Sequence, residues 1–120
     1  MNRQKNGFTE GGKVRSIIRM KIPLDKHNEA LEILGRVSGQ ARFEPYCISS
    51  RLYRGVDEVR AIMLEELWES GRDIVQHLKS DTYRRILLVI EMAEEPPDIR
   101  FESITHSGGV EVIEQARNQA

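Results

Sequence analysis

The chain has 120 residues, with 18 Lys and Arg against 19 Asp and Glu, for a net charge of −1. This length suits one domain with one modest core, and the balanced charge excludes a dedicated nucleic-acid binder or a polybasic membrane-surface protein, both of which need a basic face. The longest apolar run, residues 86–90, falls far short of the ~20 residues of a spanning helix, and the single cysteine, Cys47, allows no internal disulfide and no cysteine-based metal cluster. A soluble, cytoplasmic, globular protein is the expectation.

Residues 1–13 are polar, with Gly7, Gly11, Gly12 and one large apolar side chain, Phe8. They read as a flexible leader and lack the apolar stretch of a secretory signal. Residues 14–22 alternate as a strand does: Val14, Ile18, Met20 and Ile22 point one way, and Arg15, Ile17, Arg19 and Lys21 the other. Pro23 ends this strand. Asp25 is the expected N-cap of an amphipathic helix that carries Ala30, Leu31, Leu34 and Val37 at helical spacing and closes at about Gly39. Residues 46–53 and 59–68 predict a hairpin around a turn at 54–58. Ser70, with Asp73 three residues on, predicts a capped short helix to about Lys79. Ser80-Asp81 opens another helix, with Tyr83, Ile86, Leu87 and Ile90 on one stripe. Pro96-Pro97 stop the helical pattern, residues 99–105 predict a fourth strand, and residues 110–113 a short edge segment. One domain over 14–113 and a polar tail over 114–120 result.

The order is β-α-β-β-α-β, the ferredoxin-like α+β plan of a four-stranded antiparallel sheet with helices on one face. The third strand is apolar on both sides, with Ala61, Met63 and Leu67 opposite Ile62, Leu64 and Trp68. One helix layer covers only one face. Ile62, Leu64 and Trp68 are therefore expected to form an apolar face that a second copy covers, giving a homodimer through the sheet faces. The RNA-binding version of this plan needs aromatics on its central strands, and residues 59–67 hold none. The metal-carrying version needs paired cysteines.

The run Glu65-Glu66-Leu67-Trp68-Glu69-Ser70, followed by His77-Leu78-Lys79-Ser80-Asp81 and Tyr83, resembles the antibiotic-biosynthesis-monooxygenase family, whose members show a strand ending Glu-x-Trp and then a helix ending His-Leu. Glu44-Pro45-Tyr46-Cys47 is similar to that family's Glu-Pro-Gly-Cys. The resemblance covers residues 14–105. It implies a dimeric α+β barrel of two ferredoxin-like sheets. It also implies oxidation of a quinol or related small aromatic by molecular oxygen without metal or flavin, the substrate anion itself giving an electron to oxygen. The protein then supplies a dry cavity and a proton acceptor. A non-catalytic dimeric module that binds a small apolar ligand, or only itself, is the alternative.

Trp68 is expected either to fill the core or to pack its face against an aromatic substrate. Glu66 shares its strand face. It is expected either to pair with Arg15 or Arg19 of the first strand, or to serve as a proton acceptor whose pKa burial lifts. His77 is either a helix-end residue near free carbonyls or a general base at the cavity mouth; the resemblance falls on it rather than on His27, read as solvated, or His106, which could reach the cavity rim. Arg19, Tyr53 and His106 complete the expected substrate-binding set, with His77 and Glu66 catalytic. Tyr83 is expected in the core, and Cys47 as a small buried hydrophobe. The family also has a haem-degrading branch. Its iron-binding histidine falls at about Leu87 and its first-strand asparagine at about Arg19, so no haem is expected. No metal or other cofactor is expected.

Overall fold

The computed structural model describes residues 11–119, so the leader expected over 1–13 lies mostly outside the described residues. The elements run β1 (Lys13–Lys21), α1 (Leu24–Ala41), β2 (Cys47–Arg54), β3 (Ala61–Trp68), α2 (Gly71–Leu78), α3 (Asp81–Ile90), β4 (Asp98–Ile104) and α4 (Val110–Arg117). The four strands form one antiparallel sheet in the order β2-β3-β1-β4. The ferredoxin-like α+β plan is therefore present, with the second helix broken into α2 and α3 at Ser80.

Alternation in the strands sets two faces, and the helices cover one of them. Val14, Ser16, Ile18 and Met20 of β1 share the covered face with Ile62, Leu64, Glu66 and Trp68 of β3, all buried. The stripes of α1 (Ala30, Leu34, Val37) and α3 (Tyr83, Ile86, Val89) pack on Ile18, Met20, Ile22, Ile62 and Leu64. A second cluster of Val14, Trp68 and Ile74 lies under α2. This corrects the face expected to be open. Ile62, Leu64 and Trp68 need no second copy, because α1, α2 and α3 already remove them from water. The uncovered face carries Arg15, Ile17, Arg19 and Lys21 beside Ala61, Met63, Glu65 and Leu67.

Several local expectations shift for physical reasons. α1 starts at Leu24 behind an extended Pro23, whose φ of −54° and ψ of 145° stop the strand. Asp25 sits in the first turn, where its charge suits the helix dipole, and does not cap. The helix runs through Gly39 to the buried Ala41, since packing outweighs the low helix propensity of glycine. In α3 the buried stripe takes Val89, while Leu87 is exposed. His27, read as solvated, is buried on α1, and its Nε2 has no hydrogen-bond partner. Residues 110–113 are helical where an edge segment was expected. Beyond Ser107-Gly108-Gly109 the chain has left the sheet, so its backbone groups pair locally in α4. No helix among the described residues is long and apolar enough to cross a membrane.

Candidate active site

The site lies where the C-terminal end of β3, helix α2 and the linker between α1 and β2 meet. Strand alternation puts Glu66 and Trp68 on the covered face. Helix α2 is fixed above them by its cap: the Ser70 Oγ accepts from the Asp73 N–H at 3.2 Å and donates to the Asp73 carboxylate at 2.8 Å. Two turns later α2 drives His77 down onto the sheet. At the α2–α3 break, the Ser80 Oγ donates to the His77 carbonyl at 2.6 Å and accepts from the Tyr83 N–H at 3.2 Å. One hydroxyl thus ends α2 and starts α3, and sets the height of His77.

His77 is 2% exposed, which replaces the helix-end and cavity-mouth readings with a buried imidazole at the pocket floor. It is stacked at a tilt of 30° on Trp68, with ring centroids 4.4 Å apart, and meets the edge of Tyr83 at 5.5 Å. Its Nε2 lies 3.0 Å from Glu66 Oε1 and its Nδ1 3.7 Å from Glu44 Oε1. The short approach to Glu66 is off the ring N–H direction, so it is a close electrostatic contact rather than an aligned hydrogen bond.

Glu66, 1% exposed, is held by other donors. Trp68 Nε1–H donates to its Oε1 at 3.4 Å, and the Ser50 hydroxyl to its Oε2 at 2.7 Å. The Ser38 hydroxyl lies 2.9 Å from that of Ser50. Ser50 has one hydrogen and gives it to the carboxylate, so Ser38 is the donor in the serine pair. These neutral donors let a carboxylate stay buried without a cation. The expected pairing with Arg15 or Arg19 is absent because both arginines occupy the opposite sheet face. Arg15 meets Glu65 at 3.6 Å and Arg19 meets Asp98 at 3.9 Å.

A pocket of about 470 Å³ opens above this cluster, with Trp68 and His77 in its floor. Glu44, Pro45 and Tyr46 form one wall, and Arg72, Gln76 and Ser80 line the other side. The structure thus brings Glu66, Trp68 and His77 together. Arg19 lies on the uncovered sheet face, Tyr53 is 40% exposed on that same face, and His106 is exposed beyond β4. None of these three lines the pocket. Sequence reasoning passed over Ser50 and Ser38. The available signal was a hydroxyl at an inward-facing strand position, and another on an apolar helix stripe, each costly to bury unless it serves a polar partner. Among the described residues no group of three or more His, Cys, Asp and Glu could hold a metal ion.

Fold and site together define a ferredoxin-like α+β domain whose pocket floor is a buried imidazole stacked on an indole and backed by a carboxylate. The profile of the antibiotic biosynthesis monooxygenase family matches residues 14–87, more than half of the chain, and the chain belongs to that family. No curated protein matches it in sequence. Among solved structures, the Mycobacterium tuberculosis protein Rv0793 is similar over 81% of this chain and 99% of its own, at 21% identity and a TM-score of 0.72. A Caulobacter crescentus CB15 protein named after the same monooxygenases is similar over 88% of this chain and 100% of its own, at 17% identity and a TM-score of 0.74. A Nitrosomonas europaea protein named in the same way is similar over 85% and 99%, at 16% identity and a TM-score of 0.72. At such identities the likeness speaks for the fold.

Proposed function

We propose that the protein is a monooxygenase that oxidises a quinol or related small aromatic with molecular oxygen and needs no bound cofactor. The observation that carries this reading is the buried His77 in the floor of the 470 Å³ pocket, with Trp68 beside it and Glu66 3.0 Å behind it. A cavity of this size takes a small aromatic, and the Trp68 and Tyr46 rings offer it apolar walls. With Glu66 ionised, the His77 proton belongs on Nε2, leaving Nδ1 free to accept the proton of a substrate hydroxyl. The imidazolium that forms is stabilised by Glu66 at 3.0 Å. The substrate anion, shielded from water, gives one electron to oxygen. Recombination at a ring carbon and loss of water then turn a C–H into a carbonyl, so phenol plus oxygen becomes quinone plus water.

The protein acts in this reading as a cytoplasmic homodimer joined through the uncovered sheet face, where Ile17, Ala61, Met63 and Leu67 are only half-buried in a single copy. Oxygen uptake with a panel of quinols and naphthols tests the activity. The wild type is expected to consume oxygen and form quinone in equal amounts, and His77→Ala to lose ~100-fold or more in turnover. Ligand binding without oxygen uptake across the panel would instead favour the non-catalytic ligand-binding module.

A further inference from the structure

We propose that Glu66, Ser50 and Ser38 form a proton path that connects the pocket floor to solvent on the far side of the α1–β2 contact; it rests on His77 as the proton acceptor. A second hollow, of about 390 Å³, lies between α1 and the edge strand β2, and Ser38, Ser50, Arg42 and Leu52 are among its lining. Glu66 lines neither hollow. It stands between them, with His77 of the first hollow 3.0 Å from one carboxylate oxygen and Ser50 of the second 2.7 Å from the other. Ser38 continues the line at 2.9 Å. All four side chains are at most 3% exposed, so no bulk water short-circuits the sequence.

A purely structural account explains Ser50, which satisfies a buried carboxylate. Ser38 touches Glu66 only through Ser50, to which it donates, and it sits beside the buried Val37 on the apolar stripe of α1. Ser38 does carry the line of hydroxyls to the second hollow. An aromatic substrate seated over Trp68 would occlude the first hollow, so a proton taken by His77 needs a rear exit.

The transfer balances. The substrate O–H bond breaks as the proton joins His77 Nδ1, and the imidazolium turns to bring its Nε2–H into line with Glu66 Oε1, 3.0 Å away, which takes that proton. The protonated carboxyl then rotates to carry that proton to the Ser50 side and gives it to Ser50, whose own proton goes to Ser38 and that of Ser38 to water in the second hollow, both hydroxyls turning to do so. Reversal of the same steps returns one proton when water is formed. No residue of the path is oxidised or reduced.

The path is tested first without turnover, by following exchange of the His77 Nε2 proton with solvent by nitrogen-15 NMR. Ser50→Ala and Ser38→Ala are each expected to slow this exchange by about tenfold or more, and Ser50→Thr, which keeps a hydroxyl, to restore it. Loss of a merely structural bond would loosen the cluster and leave exchange unchanged or faster; either result overturns the proposal. Should Ser50→Ala not fold, Ser38→Ala decides alone, because it leaves both bonds to Glu66 intact. Where quinol turnover is present, the alanine variants should also lower kcat with KM unchanged and change the solvent isotope effect, and an unaltered kcat counts against the path. If no turnover exists in any variant, the activity reading fails while the exchange measurement still decides the path.

Discussion

Burial and the charge of Glu66 act together on two neighbouring acids. The Tyr83 phenol is pushed up to about 12, first by burial and then by Glu66. The Cys47 thiol is pushed up to about 12 by burial, then by Glu66 and Glu44. Both are acids whose folded pKa lies above the unfolded one. Their contribution to stability is therefore complete below about pH 9 for Cys47 and pH 10 for Tyr83, and is lost as pH rises toward 12. The urea midpoint should fall steeply between pH 10 and 12, and Tyr83→Phe should flatten that fall. The thiolate fraction of Cys47 at pH 8 is lower than that of a free thiol by roughly a thousandfold, so labelling of the native protein by a disulfide reagent should be correspondingly slow. Glu66 itself separates charge from shape. Glu66→Ala strands the Ser50 and Trp68 donors and opens a hole, at a cost of about 3–5 kcal/mol. Glu66→Gln keeps an acceptor for Ser50 and should cost only about 1–2 kcal/mol in urea unfolding.

Helix α2 is eight residues long and could not stand alone, so its position over the sheet depends on its ends. Ser70 fixes the start, and Ser80 fixes both the end and the His77 carbonyl. Ser70→Ala should destabilise the protein by about 1 kcal/mol while the α2–α3 break stays in place. Ser80→Ala should cost a similar about 1 kcal/mol in thermal unfolding. It should also move the ring-current-shifted resonances of His77, which report its stacking on Trp68. Unmoved His77 resonances in Ser80→Ala would show that packing alone sets the imidazole.

For the whole molecule, the uncovered sheet face is the surface through which two copies are proposed to associate. Arg15–Glu65 and Arg19–Asp98 pairs flank Ile17, Met63 and Leu67 there. A dimer through this face buries the apolar centre and leaves the charged pairs near its rim. Leu67→Arg puts a charge at that centre without touching the helix-covered core. Sedimentation should show the wild type as a dimer and Leu67→Arg as a folded monomer at micromolar concentration. A wild type that sediments as a monomer would remove the dimer.

Local chemistry made the elements readable. The two-residue period of β1 and β3, the helical spacing of Ala30, Leu34 and Val37, and the Ser70–Asp73 cap are all properties of neighbouring residues, and the sheet and its helices follow from them. Alternation also put Glu66 and Trp68 on one face. It could not say which face the helices cover, because parity is a relation within a strand while cover depends on where α1, α2 and α3 land. Ile62, Leu64 and Trp68 were for that reason assigned to the wrong side. The partners of Glu66 were hidden for the same reason. Ser50, Ser38 and His77 lie on three elements, up to 39 residues apart, and meet only when α1 and α2 close over the sheet. Sequence spacing can place a histidine near a helix end, as with His77. Only the packed layers could turn that helix end inward, strip the imidazole of water and set it against a carboxylate.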